Sequence, residues 1–195
     1  MARRGRHSRT RERESERHKV MSDLTDIFES NAREAAAIVE RCGRKSGAVR
    51  EAVERITRRA NRVVIAAPEF VDPGLIATLQ SLPNAFAKPA DEQLATADAG
   101  ITGAFAGVAS SGSVCVALGP ELVGAASLLM PLHVLLLSAD RIVARPRDLF
   151  DPASLGGEGL GRNLVFITGP SATADMGPLV RGVHGPHHLH ILLLE

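Results

Sequence analysis

The residues best suited to chemistry in this chain stand between Thr168 and His188. The run Thr168-Gly169-Pro170-Ser171-Ala172-Thr173-Ala174-Asp175 follows the apolar segment NLVFI. A strand, a tight Gly-Pro turn and Ser or Thr at a helix start would expose backbone N–H groups beside hydroxyls. That combination suits a carboxylate or phosphate. The plainer alternative is capping, with Ser171 or Thr173 accepting from backbone amides and Asp175 complementing a helix dipole. Spacing alone leaves both open, and Asp175 would repel an anion unless a cation or hydroxyl intervened. His184, flanked closely by Gly182 and Gly185, has the chemistry of a proton carrier near pH 7 or an oxyanion donor. Arg181 offers a fork for a substrate carboxylate, or simply a surface ion pair. Asp175 and His184 are therefore the catalytic candidates, and Gly169, Ser171, Thr173, Arg181 and Gly185 the binding candidates.

A second small-residue loop, GAFAGVASSG over Gly103–Gly112, adds the hydroxyls of Ser110, Ser111 and Ser113. Ser110 and Ser111 join the candidate anion-binding set, although a close-packed turn explains this loop better. Its spacing matches neither a P-loop nor a dinucleotide fingerprint. His188 and His190 would share one face of a strand, and with His184 and Asp175 they have the donor types of a divalent-metal site. A His-rich strand entry is more often exposed or hydrogen-bonded, so no metal is assigned. The chain carries no HExxH, GxSxG or CxxC element.

Periodicity shows what must position these residues. From Ser22 the pattern is helical, with Leu24, Ile27 and Phe28 opening an apolar stripe that extends through Ala35, Ile38 and Val39 to Cys42–Gly43. Ser46 starts a second helix with Val49, Val53 and Ile56 on one face. Arg62–Ala67 is then a short β-branched run of the kind buried on both faces of a parallel sheet. Similar strands are predicted at Gly100–Thr102, Ser113–Leu118, His133–Ser138, Asn163–Thr168 and Leu189–Leu194, the last inside the sheet. Helical or irregular pieces at Pro73–Leu82, Asp91–Ala97, Glu121–Leu129 and Pro146–Leu155 alternate with them. The predicted class is α/β, a three-layer α/β/α fold with a mostly parallel sheet.

Composition narrows the function classes. With 195 residues, 45% of them hydrophobic, the chain can bury one full core. Aromatics make up 3%, with neither Trp nor Tyr, which argues against stacking on bases or flavins. The two cysteines, Cys42 and Cys115, lack the spacing of any iron–sulfur or zinc motif and read as apolar residues of a reducing compartment. No secretory signal or membrane span is visible, so the expected location is cytoplasmic. Residues 1–20 hold eight Arg or Lys and three Glu, a net +5 against +1 for the whole chain. Residues 1–21 are expected to be a disordered basic tail, more simply an extension than a nucleic-acid arm. The domain is expected over residues 22–195, with N-terminal helices at about 22–60.

The string TGPSATADMGPLVRGVHGPHHLHILLLE, with the earlier GITGAFAGVASSGSVCVALGPE and LLMPLHVLLLSADRIV, resembles the lactate-utilization protein C family, the LutC/YkgG group of LUD-domain proteins. The resemblance covers roughly Leu24 to Glu195. It implies a fold like the NagB/RpiA/CoA-transferase group and a part in oxidising L-lactate to pyruvate. It also implies partner proteins that carry iron–sulfur clusters, with no cofactor in this chain. Gly169, Ser171, Thr173, Asp175, His184 and Gly185 match the family pattern. Ser110 and Gly177 stand where the family usually has Glu.

The leading expectation is an accessory subunit of lactate utilization, binding a small carboxylate or a partner through residues 168–188. The alternative is a stand-alone enzyme of the CoA-transferase or formyltetrahydrofolate cyclo-ligase kind, acting on a phosphate- or carboxylate-bearing substrate. A nucleic-acid role is disfavoured, and homo-oligomer formation is left open.

Overall fold

The computed structural model describes residues 4–66, 70–119, 122–155, 161–174 and 177–195, with side chains from residue 19 onward. Along the chain, α1 (Arg4–Glu34) leads to β1 (Ile38–Cys42), α2 (Ser46–Ile56), β2 (Val63–Ile65), α3 (Pro73–Gln80) and β3 (Ala85–Phe86). Next come α4 (Asp91–Ala95), β4 (Ala99–Gly103), β5 (Ala106–Val108), β6 (Ser113–Leu118), α5 (Val123–Leu128) and β7 (Leu132–Ser138). A 3₁₀ turn (Ala139–Arg141), β8 (Ile142–Val143), a second 3₁₀ turn (Pro146–Phe150), α6 (Pro152–Leu155) and β9 (Asn163–Ile167) follow. The hairpin β10 (Ala172–Thr173) and β11 (Val180–Arg181) and the last strand β12 (His188–Leu194) complete the order.

The aliphatic runs form a six-stranded sheet ordered β1-β12-β7-β4-β2-β3, with every pairing parallel. β12 lies inside the sheet, between β1 and β7. One face carries Val63, Ile65, Ile101, Leu136 and Leu192, buried against Val49 and Val53 of α2 and Leu75 and Leu79 of α3. The other carries Leu135, Leu137, Ile191 and Leu193, buried against Phe28 and Ala32 of α1 and Val123 and Ala126 of α5. Burial on both faces explains the unbroken aliphatic runs of the sequence. The fold is α/β, with helices on both sides of a parallel sheet.

A second sheet, ordered β8-β5-β6-β9, lies on the α1/α5 side, where Val114 and Val116 join the same core. Its β5–β6 and β6–β9 pairs are antiparallel. The predicted strands Ser113–Leu118 and Asn163–Thr168 therefore belong to this smaller sheet, not to the parallel one.

Two helix expectations are corrected. α1 ends at Glu34, and Ile38–Cys42 is a strand paired with β12. The stop is an Ala at φ +67°, Ala36, with the Ala37 N–H donating to the Ala32 carbonyl at 3.0 Å. This is the Schellman arrangement that glycine normally supplies, so the sequence carried no stop signal. At the other end, α1 begins at Arg4, so residue 21 is not an element boundary. Arg and Glu are good helix formers, and the packed segment beyond residue 24 supplies the nucleus from which the helix extends.

Candidate functional site

The two Gly-rich segments meet, but they meet over helix α1. Gly112 (φ +64°) lies so close to α1 that a Cβ there would sit 2.1 Å from the Ala32 nitrogen. Gly169 (φ +73°) would place a Cβ 1.9 Å from the Ala35 carbonyl oxygen. Asn31 Nδ2 donates to the Ala109 carbonyl at 2.7 Å, tying the first loop to the same helix. The glycines thus serve close approach of backbone to the last turns of α1. Between the loops runs a hydroxyl chain, Ser111 Oγ to Ser113 Oγ and Ser113 Oγ to Thr168 Oγ1, each 2.7 Å. The Ser110 and Ser111 amides donate to the Ala144 and Val108 carbonyls at 3.1 and 3.4 Å. The loop's N–H groups therefore point into the protein.

The predicted helix start after Gly169 is instead the antiparallel hairpin β10–β11, pairing Ala172 with Arg181 and Thr173 with Val180. The Ser171 N–H donates to the Pro186 carbonyl at 2.9 Å, and its own carbonyl accepts from Gly182 N–H at 2.8 Å. Gly185 packs directly on Ser171, where a Cβ would come within 3.0 Å. Hairpin pairing engages the backbone that a helix N-terminus would have left open. Asp175, the other catalytic candidate, lies outside the described residues.

His184 is exposed. It lines a groove of about 490 Å³ with Gly182, Val183, Gly185 and His187 on one wall and Leu128, Leu129 and Pro131 on the other. The His187 and His188 N–H groups both donate to the Pro131 carbonyl, at 2.8 and 3.1 Å. This groove opens before β7 and β12, at the amino-terminal rim of the parallel sheet. The strand Asn163–Ile167 that leads into the Gly169 turn belongs to the smaller sheet, so the turn does not extend from a carboxyl end of the parallel one. Leu128, Leu129, Leu179, Val180 and Val183 are all exposed here, by 50 to 64%. Arg181 is exposed beside them.

The histidines part company. His188 is exposed, whereas His190 is buried. Burial pulls the His190 pKa below its ordinary value, against the opposing pull of Glu40, whose Oε2 lies 3.5 Å from Nε2. Among the described residues no three His, Cys, Asp or Glu side chains converge to hold a metal ion. His133 on β7, outside the candidate segment, is fully buried. Its Nε2 lies 2.8 Å from Thr102 Oγ1 on β4, and its Nδ1 has no protein partner. Desolvation lowers its pKa to about 3, so the ring is neutral. A histidine at the start of a continuous aliphatic run gives no sign that it is buried with the rest of the strand.

Residues 25–194 match the family model described as the LUD domain. The chain belongs to the LUD-domain family. An uncharacterized protein of Neisseria meningitidis serogroup B is 34% identical over 98 residues, which is 50% of this chain and 42% of that relative. The match thus spans less than half the relative's length. A crystal structure of a DUF162 family protein from Deinococcus radiodurans superposes with a TM-score of 0.62 at 19% identity, covering 90% of this chain and 98% of that one. That likeness shows the LUD-domain fold. Among the described residues no helix is long and apolar enough to cross a membrane.

Proposed function

We propose that this LUD-domain chain is an accessory subunit of lactate utilization, docking an iron–sulfur partner protein through its 168–188 surface and contributing to oxidation of L-lactate to pyruvate. One observation carries the docking: five large aliphatic side chains, Leu128, Leu129, Leu179, Val180 and Val183, stand exposed on and beside a single groove. Clustered exposed apolar area rimmed by polar groups marks a protein interface, and Arg181, His184 and His187 supply the polar rim. The Ser171 amide, which a carboxylate ligand would need, is already spent on Pro186. Family membership supports the lactate setting. The two widely spaced cysteines support clusters carried by partners rather than by this chain.

The test is affinity capture of the full chain from lactate-grown cells, followed by absorbance scanning of the eluate and an L-lactate oxidation assay. The wild-type chain is expected to bring down proteins with iron–sulfur absorbance and lactate-oxidising activity. Val183→Asp is expected to lose both while keeping its thermal midpoint. Full-rate lactate oxidation by partners lacking this chain would overturn the accessory role, and undiminished capture by Val183→Asp would overturn the docking surface.

A further inference from the structure

The smaller sheet ends in an outer strand with nothing to blunt it. Native sheets protect such strands by shortness, charge, proline or a cover, because open N–H and C=O groups recruit further strands. Among the described residues, β3 and β8 end their sheets with two residues each. β1, the long outer strand of the parallel sheet, carries Glu40 and Arg41, held in ion pairs with Arg55 and with Asp26 and Glu29. β9 has no such device. It is five residues long, Asn-Leu-Val-Phe-Ile, with neither charge nor proline. It pairs with β6 on one side, and no described strand lies on the other.

The peptide groups of β9 divide between its two sides. The Phe105 N–H donates to the Cys115 carbonyl at 2.7 Å, so the backbone of β6 faces β5 at Cys115. Peptide groups alternate in direction along an antiparallel strand, so Val114, Val116 and Leu118 face β9 instead. Their register partners are Ile167, Val165 and Asn163, whose N–H and C=O groups are thereby used. Leu164 and Phe166 consequently turn theirs outward, and neither makes a hydrogen bond there within the chain.

The side chains hold the strand in place. Val165 and Ile167 pack on the main core, and Leu164 packs on the small core of Phe105, Cys115 and Leu149. Phe166, on the same side of the strand as Leu164, is left 43% exposed.

We infer that β9 is a self-association edge, pairing antiparallel with β9 of a second copy of this chain about a two-fold axis through Val165. The spacing of the outward peptide groups selects that occupant. Positions 164 and 166 are symmetric about 165, so Leu164 of each copy meets Phe166 of the other, both facing outward. Each such pair exchanges two backbone hydrogen bonds, and the two-fold repeats the pair. The side chains match as well, since the exposed Phe166 ring lies across from Leu164 of the second copy, an aromatic–aliphatic cross-strand contact. Arg162 stands opposite Thr168 of the second copy, so no like charges oppose each other. The pairing joins two four-stranded sheets into one and uses both copies of the β9 edge. Assembly therefore closes at two copies instead of continuing as a fibre. β9 shares no residue with the lining of the docking groove, and the pairing does not depend on the proposed partner.

The experiment follows the full chain by sedimentation velocity from low micromolar to near-millimolar concentration, with amide hydrogen exchange at both ends of the range. A reversible monomer–dimer equilibrium is expected. The Leu164 and Phe166 amides should slow about tenfold or more in the dimer, whereas the Val165 amide, bonded to β6, should be protected at both ends. Phe166→Lys, at an exposed ring, is expected to keep its thermal midpoint and to stay monomeric throughout. Val183→Asp is expected to dimerise as the wild type does. Register is read by cross-linking in a Cys42→Ser background. Val165→Cys is expected to form an intersubunit disulfide under mild oxidation, because the two Cα atoms would lie about 4.5 Å apart. Asn163→Cys, whose symmetry mate lies several residues away along the pair, is expected to form none. A chain that stays monomeric over the whole range, a Phe166→Lys variant that still dimerises, oligomers that keep growing with concentration, or cross-linking at 163 in place of 165 would each overturn the pairing.

Discussion

Acidification should weaken this fold through one imidazole. His133 is fully buried, and burial lowers its pKa from 6.5 to about 3. Between those values the unfolded chain binds a proton that the folded chain refuses, so stability rises with pH through that window and levels off above 6.5. Each pH unit inside the window corresponds to about 1.4 kcal/mol. Lowering the pH from 7 to 5 should therefore remove roughly 2 kcal/mol through His133 alone. The assay is urea unfolding at both pH values on wild type and His133→Leu. The variant loses the Thr102 contact and starts less stable at pH 7, but its acid loss should be smaller than wild type by about the amount assigned to His133. Differencing the two proteins cancels contributions shared by both, including those of His190 and Asp140. NMR of the imidazole gives a direct check, since the ring should stay neutral throughout. Equal acid losses in the two proteins, or a His133 that titrates near 6.5, would refute the reasoning.

Three further outcomes follow from local geometry. Gly100→Ala would put a Cβ 2.2 Å from the Ala126 carbonyl oxygen of α5; backbone on both sides leaves no easy relief, so a loss of about 3 kcal/mol or failure to fold is expected in chemical denaturation. Ala36→Gly should stabilise by roughly 1 kcal/mol in the same measurement, because it removes the Cβ penalty at φ +67°. Thiol labelling of the native chain at pH 8 should modify partly exposed Cys42 well before Cys115, whose thiol burial pushes up to about 11. Both thiols should react at once in denaturant.

Most of the fold was legible because burial on two faces writes itself as unbroken aliphatic runs. Ser113–Leu118 has the bounds its sequence predicts, and the nearly all-Leu segment at the end lies inside the sheet. Errors arose where one pattern served two structures. Ile38 and Val39 fit a helical stripe as well as a strand, and Ala36 hides the helix stop by standing where glycine would be expected. The candidate site was legible as a segment but not as chemistry. Ser171, Gly182 and Gly185 do come together, yet hydrogen bonds within the protein turn key N–H groups inward.

The sequence by itself determined the aliphatic core, the parallel α/β class and the absence of cysteine spacings for a cluster, since composition and period need no knowledge of what touches what. Tertiary structure alone decided which rim each loop occupies and what its glycines approach. It also decided that Phe70, Phe105, Arg141 and Arg162, scattered over nearly a hundred positions, stack on one another. Such placement depends on strand order, and strand order is set by which buried faces fit together in space, a property no single segment carries.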